Sequence, residues 1–173
     1  DNNSWKDLSA NGITDLGMAF EELTSMLSRK KFLKSPSLSY APVIFLMTDG
    51  YPTDNYKKGL EKLKNNNWYK YGMKIALGIG DYFDESVLEE FTENKELVVK
   101  AANSSQLAKL IKTIAVTSSQ IASKSMTIVS DEENELDYED VEGNKQKEMV
   151  KIVQDTVSDD EFIETLELED GWD

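Results

Sequence analysis

The stretch Val43-Ile44-Phe45-Leu46-Met47-Thr48 offers no polar side chain to water until its last position. A strand with one wet face alternates apolar and polar residues, whereas a strand covered on both faces is apolar throughout. β-branched and aromatic residues favour the extended chain, and Asp49-Gly50 with Tyr51-Pro52-Thr53-Asp54 supplies the residues of a turn. The run therefore reads as a strand buried on both faces, as in a parallel sheet sandwiched between helices. In open parallel sheets ligands bind beyond the carboxyl ends of the strands. Asp49 is thus either a functional carboxylate or a residue that only turns the chain.

The rest of the chain repeats this alternation. Leu16, Ala19, Phe20, Leu23 and Leu27 recur at helical spacing, with Thr14 or Asp15 as N-cap. Residues 30–41 form a polar connection containing Pro and Ser. Asp54 or Asn55 can cap a helix over about residues 56–66, carrying Tyr56, Leu60 and Leu63 and ending at a run of Asn. Met73 to Ile79 reads as a second strand, followed by a short helix from Asp84 with Val87, Leu88 and Phe91. Leu97-Val98-Val99 is a third strand, and Ser104-Ser105 caps a helix with Leu107, Leu110, Ile111, Ile114 and Ala115 on one face. The order α-β-α-β-α-β-α specifies an α/β fold, a doubly wound, Rossmann-like parallel sheet with helices on both faces. Such sheets commonly have about five or six strands. We therefore expect N-terminal strands to be absent from a chain that begins with Asp1, and the strand edge so exposed to invite pairing with another chain.

Charge divides the chain in two. Residues 131–173 hold 18 acidic and 3 basic residues, leaving 15 acidic and 16 basic in residues 1–130, so the formal charge of −14 resides in the tail. We expect a body over residues 1–122 and an acidic tail over 123–173. High net charge with low hydrophobicity predicts disorder over residues 130–145. Beyond them Met149, Val150, Ile152, Val153 and Val157 fit an amphipathic helix, and Phe162, Ile163, Leu166, Leu168 and Trp172 alternate with acids. This pattern marks either a partner-binding segment or a solubilising tail, and removing residues 146–173 is expected to leave the body's folding unchanged. No Lys/Arg stripe with interleaved aromatics supports nucleic-acid binding, and Lys57, Lys58, Lys62 and Lys64 read as a solvated helix face. No apolar run approaches a membrane span and the opening residues lack signal-peptide features, while the absence of cysteine fits a reducing, cytoplasmic location.

The absence of cysteine and histidine removes disulfides, thiolate and imidazole ligands, and imidazole bases. A metal here must be held by oxygen, which points to Mg²⁺, Mn²⁺ or Ca²⁺. Gly78 and Gly80 follow a strand, but Phe83 stands where a dinucleotide fingerprint needs its third glycine. No phosphate-binding GxxxxGK[ST] loop occurs. Asp49 and Asp54 could form an acid/base pair, yet no substrate cleft is legible, and no enzymatic activity is expected. Asp49 with nearby Pro52 also matches how receiver domains present a phosphoacceptor, although the strand over residues 73–79 is not followed by the required Lys. Haloacid-dehalogenase-like phosphatases need Asp two residues after the first, where Tyr51 stands.

Two segments remain, Asn11-Gly12-Ile13-Thr14-Asp15-Leu16-Gly17 opening a helix and Phe45-Leu46-Met47-Thr48-Asp49-Gly50 ending a strand. Together they resemble the von Willebrand factor A (vWA) domain. That family's metal-ion-dependent adhesion site combines an Asp-x-Ser-x-Ser loop, a Thr opening a later helix and an Asp ending a later strand. The resemblance implies that Thr14 and Asp49 are metal ligands, for Mg²⁺ or Mn²⁺, with Asp54 and Asp81 on the rim. The longer match, Tyr40-Ala41-Pro42 through Asp54 with Lys57-Lys58-Gly59-Leu60, looks most like the TerY-like bacterial branch linked to tellurite and stress resistance. It implies a protein-binding or scaffold module with kinase-like and phosphatase-like partners. The match runs from about Gly12 to about Ser119, and Asp7-Leu8-Ser9-Ala10-Asn11 is the nearest approach to the missing Asp-x-Ser-x-Ser. Without that loop, metal binding by this chain is expected to be weak or absent. The alternative remains a receiver-like phosphoacceptor domain using Asp49.

Overall fold

The computed structural model describes residues 13–28, 42–128 and 138–158. Among them lie, in order, α1 (Leu16–Met26), β1 (Val43–Thr48), α2 (Tyr56–Lys64), α3 (Asn67–Tyr71), β2 (Met73–Ile79), α4 (Glu85–Thr92), β3 (Val98–Ala101), α5 (Ser104–Ile128) and α6 (Tyr138–Val157). A 3₁₀ turn, Lys95–Leu97, leads into β3. Both strand pairings are parallel, Val43 opposite Met73 and Ala76 opposite Val98, in the order β1-β2-β3. The chain is thus an α/β protein with a parallel sheet flanked by helices, consistent with a Rossmann-like fold.

Alternation along the strands separates two cores. Val43 and Phe45 of β1, Met73, Ile75 and Leu77 of β2, and Val99 and Ala101 of β3 face one side, where they meet Leu110 and Ile114 of α5 and Met149, Val150 and Val153 of α6. Ile44, Leu46, Ala76 and Val98 face the other, against Leu16 and Phe20 of α1, Leu60 and Leu63 of α2, Tyr69 of α3 and Val87, Leu88 and Phe91 of α4. Phe20 and Phe91 stack at 5.7 Å between ring centres, which ties α1 to α4.

The strand read from sequence as buried on both faces is only half-buried, and β2 is the buried one. The cause is position: β1 has a strand on one side only among the described residues, so its flanks lack neighbours. The expected disorder over residues 130–145 does not hold for residues 138–145, which lie in α6, while 129–137 fall outside the described residues. Nor is the tail helix independent of the body, since Met149 is fully buried and Val153 nearly so. An average over residues 130–145 registers the acids and misses the apolar stripe that begins at Met149. Position 122, the expected end of the body, falls inside α5. The Asn run ends α2 as expected but also starts α3, because Asn66 Oδ1 accepts hydrogen bonds from the N–H groups of Trp68 and Tyr69. The connection at 30–41, the Asp7–Asn11 segment and the alternating segment at 162–172 lie outside the described residues.

One charge is enclosed in the second core. Lys74, on the Ala76 face of β2, is 3% exposed. Its Nζ lies 3.1 Å from Glu93 Oε2 and 4.6 Å from the centre of the Tyr69 ring. Glu93 ends α4 in the left-handed region, at φ 59°, which ordinary side chains rarely adopt. Its carboxylate also lies 3.5 Å from Lys64 Nζ, at the end of α2. Tyr69 donates its O–H to the Phe91 carbonyl, and burial, with Glu93 nearby, pushes the phenol pKa well above its ordinary value.

Two expectations follow from these cores. Glu93→Ala strands the buried ammonium and should destabilise by about 1–3 kcal/mol, less than a fully enclosed pair because Glu93 is half exposed. Lys74→Met removes the charge and keeps the volume, and should stay within about 1 kcal/mol of the parent in urea unfolding; the opposite ranking would contradict this account. Met149→Ala should cost about 2–5 kcal/mol in the same assay, as for a core methionine, whereas a solvated tail would show no change.

Candidate functional site

The site is built where α1 begins and β1 ends. Helix α1 opens without help from its own sequence, because Asp15 occupies the N-cap position and makes no side-chain capping bond. A helix start leaves backbone N–H groups unpaired, and a carboxylate there gains both hydrogen bonds and the favourable end of the helix dipole. Asp54, on the loop leaving β1, fills this role: its Oδ1 accepts from Gly17 N–H at 3.0 Å and its Oδ2 from Met18 N–H at 3.2 Å. The same loop donates Thr53 N–H to the Thr14 carbonyl at 3.0 Å.

Close approach of α1 and α2 makes this geometry possible. A methyl group at Gly17 would stand 2.6 Å from Asp54 Oδ2, and one at Gly59 would strike the Gly17 carbonyl. At the far end Asn66 Nδ2 donates to the Leu27 carbonyl at 3.0 Å, so residues flanking α2 hold both ends of α1 and the two helices run in the same direction. Lys62 meets Glu21 at 2.5 Å midway, and its charge and hydrogen bond hold the Glu21 carboxyl below its ordinary pKa.

These contacts bring Thr14 to the end of β1. A Cβ placed on Gly50 would lie 3.1 Å from Thr14 Oγ1, so the hydroxyl rests against the residue after Asp49. Thr48 Oγ1 shapes the turn, donating to the Gly50 carbonyl at 3.1 Å and accepting from Gly50 N–H at 3.3 Å. Asp49 itself is exposed and has no hydrogen-bond or ion-pair partner among the described residues. Asp81, beyond β2, sits at the same sheet edge and pairs with Lys100 of β3. Asp84 Oδ1 accepts from Ser86 N–H at 3.0 Å and caps α4.

Thus the structure brings together the Thr14 and Asp49 segments that the sequence singled out. It gives Asp54 a capping task in α1, neither the rim position nor the α2 cap expected of it. The missed signal was negative, a helix start without a local cap, which needs a carboxylate from elsewhere. Thr14 and Asp49 offer a hydroxyl and a carboxylate, donors of the kind Mg²⁺ and Mn²⁺ prefer. Among the described residues no group of three or more carboxylates is placed to hold a metal ion. Among them also, no helix is long and apolar enough to cross a membrane. No family model, curated protein or solved structure matches the chain.

Asp54→Ala should lower stability by about 1–2 kcal/mol, as for loss of a helix cap, with Asp54→Asn closer to the parent. Amide exchange should accelerate at Gly17 and Met18; unchanged protection there would refute the capping role.

Proposed function

We propose that the chain belongs to a vWA-type domain of the TerY-like kind and acts as a metal-ion-dependent protein-binding or scaffold module without catalytic activity. The observation that carries this reading is the seating of the Thr14 hydroxyl against Gly50, beside Asp49, at the carboxyl edge of a parallel sheet. In this reading the Thr14 hydroxyl and the Asp49 carboxylate hold Mg²⁺ or Mn²⁺, directly or through water. The ion supplies a coordination position for an oxygen of the partner. The Thr53 N–H on the Thr14 carbonyl and the Asp54 carboxylate on the first amides of α1 orient Thr14 before any ligand arrives. Two protein donors leave an ion most of its water, so affinity is on the order of millimolar. A cytoplasmic location and kinase-like and phosphatase-like partners in a tellurite or stress response complete the reading, by analogy with the resembled branch.

Mn²⁺ titrated into isotope-labelled protein should broaden the amide signals of Thr14, Asp49 and Gly50 ahead of those of β3, and Thr14→Ala and Asp49→Ala should each abolish that selectivity. Signals at these three residues that stay sharp at millimolar Mn²⁺ would sink the metal reading. The exposed, unpaired Asp49 carboxylate also favours a second reading, a receiver-like phosphoacceptor. A beryllofluoride-induced rise in Tm that vanishes in Asp49→Asn would select it.

A further inference from the structure

Large apolar side chains crowd the edge that holds Asp49. Ile13 comes from the residues before α1, Met18 from its first turn, Tyr51 from the loop after β1, and Tyr82 from the loop after β2. Each is 57–77% exposed. Their proximity follows from backbone contacts: Thr14 touches Gly50, Asp54 holds the Met18 N–H, and Thr48 stands opposite Gly78, on which the Phe83 ring rests so closely that a Cβ there would strike it. Scattered apolar residues need no explanation, but a cluster ringed by polar groups at one sheet edge marks a contact surface.

The charge on this edge specifies what it contacts. Asp15, Asp49, Asp81, Asp84 and Glu85 gather here, and Lys100 is engaged by Asp81. Asp15 and Asp49 have no partner among the described residues. Lys57 and Lys58 open α2 beside this edge, Lys58 close enough to Glu21 to act on its charge, and the acids still outnumber the bases there. A surface of this sign repels nucleic acid, anionic lipid and acidic protein segments. Its apolar collar gives nothing to a purely polar polycation. Tyrosine faces attract cations, and methionine adapts to apolar partners of varied shape.

We propose that this edge docks a protein segment in which a lysine or arginine is flanked by apolar side chains. The cation meets Asp49 and Asp15, and the flanks cover Met18, Tyr51 and Tyr82. This goes beyond the metal reading: it uses the same carboxylate and needs no metal.

The test is fluorescence anisotropy of the whole chain with labelled short peptides whose central Lys lies between Leu and Phe, against the same peptides with central Glu. The Lys peptide should bind about tenfold tighter, and more weakly at high salt. Asp49→Asn should erase the Lys-over-Glu preference, and Tyr51→Ala should weaken both peptides. Tyr71→Ala, an exposed aromatic at the end of α3, should change neither. Circular dichroism confirms that each variant is folded. Equal binding of both peptides, or binding of neither, overturns the proposal. Binding only with Mg²⁺ and in favour of the Glu peptide also overturns it while supporting the metal site, so the two readings fail separately.

Discussion

The carboxylate of Asp54 on the first N–H groups of α1 is the interaction from which the functional edge takes its shape. Without it α1 would begin with several unpaired donors and no local cap, since Asp15 turns its side chain to no backbone amide. Because the cap comes from the loop after β1, the start of the helix and the end of the strand are fixed to each other. The Thr53 amide on the Thr14 carbonyl adds a second tie within the same few residues. Asn66 repeats the device at the other end of α1, where one side chain serves α1 through its amide nitrogen and α3 through its oxygen. Between the two caps Gly17 and Gly59 let the helices approach until backbone meets backbone. Helix α1 is therefore positioned along its length by residues in or beside α2.

On the opposite face the limiting requirement is cover. A parallel strand with both faces apolar must be roofed twice, and α5 alone does not roof Met73, Ile75 and Leu77. Met149, Val150 and Val153 of α6 complete that layer, with Ile152 and Val157 partly buried at its margin. The carboxyl-terminal acidity thus contains a structural element, and its apolar stripe is spent within the molecule. A partner that took this stripe would have to compete with the sheet face for it.

How far the sequence reveals the molecule depends on the range of the interaction concerned. Strands β1 and β2 are legible because each writes a nearly continuous apolar run, even though β1 proves only half-buried, and α5 because one helix face writes a period. Thr14 and Asp49 are legible as a pair because each sits at an element boundary, one opening a helix and the other closing a strand. The capping role of Asp54 is not legible, because nothing in Pro52-Thr53-Asp54 distinguishes a local cap from a distant one. Lys74 is equally hidden: it interrupts an apolar strand and finds its counter-charge in Glu93, beyond the intervening helix α4, and a ring in Tyr69 just before the strand. The helix carrying Met149 to Val157 is legible from its apolar period, whereas its first turns at 138–145 and its docking on the body are missed, because net charge is an average and packing depends on which face each residue takes.

The same distinction between average and local charge bears on Asp49. The chain as a whole is strongly acidic, yet residues 1–130 are nearly neutral, so the acidity of the Asp49 edge is not a share of a global excess. It arises because loops after parallel strands and the helix starts that follow converge on one side, where carboxylates are favoured as caps and turn residues. Asp54 and Asp84 are consumed by such capping, and Asp81 by Lys100. Asp49 performs none of these tasks, and the turn that carries it is closed by Thr48 instead. A carboxylate that neither caps nor pairs among the described residues, held at the carboxyl edge of a parallel sheet by a turn another residue maintains, stays open to solvent.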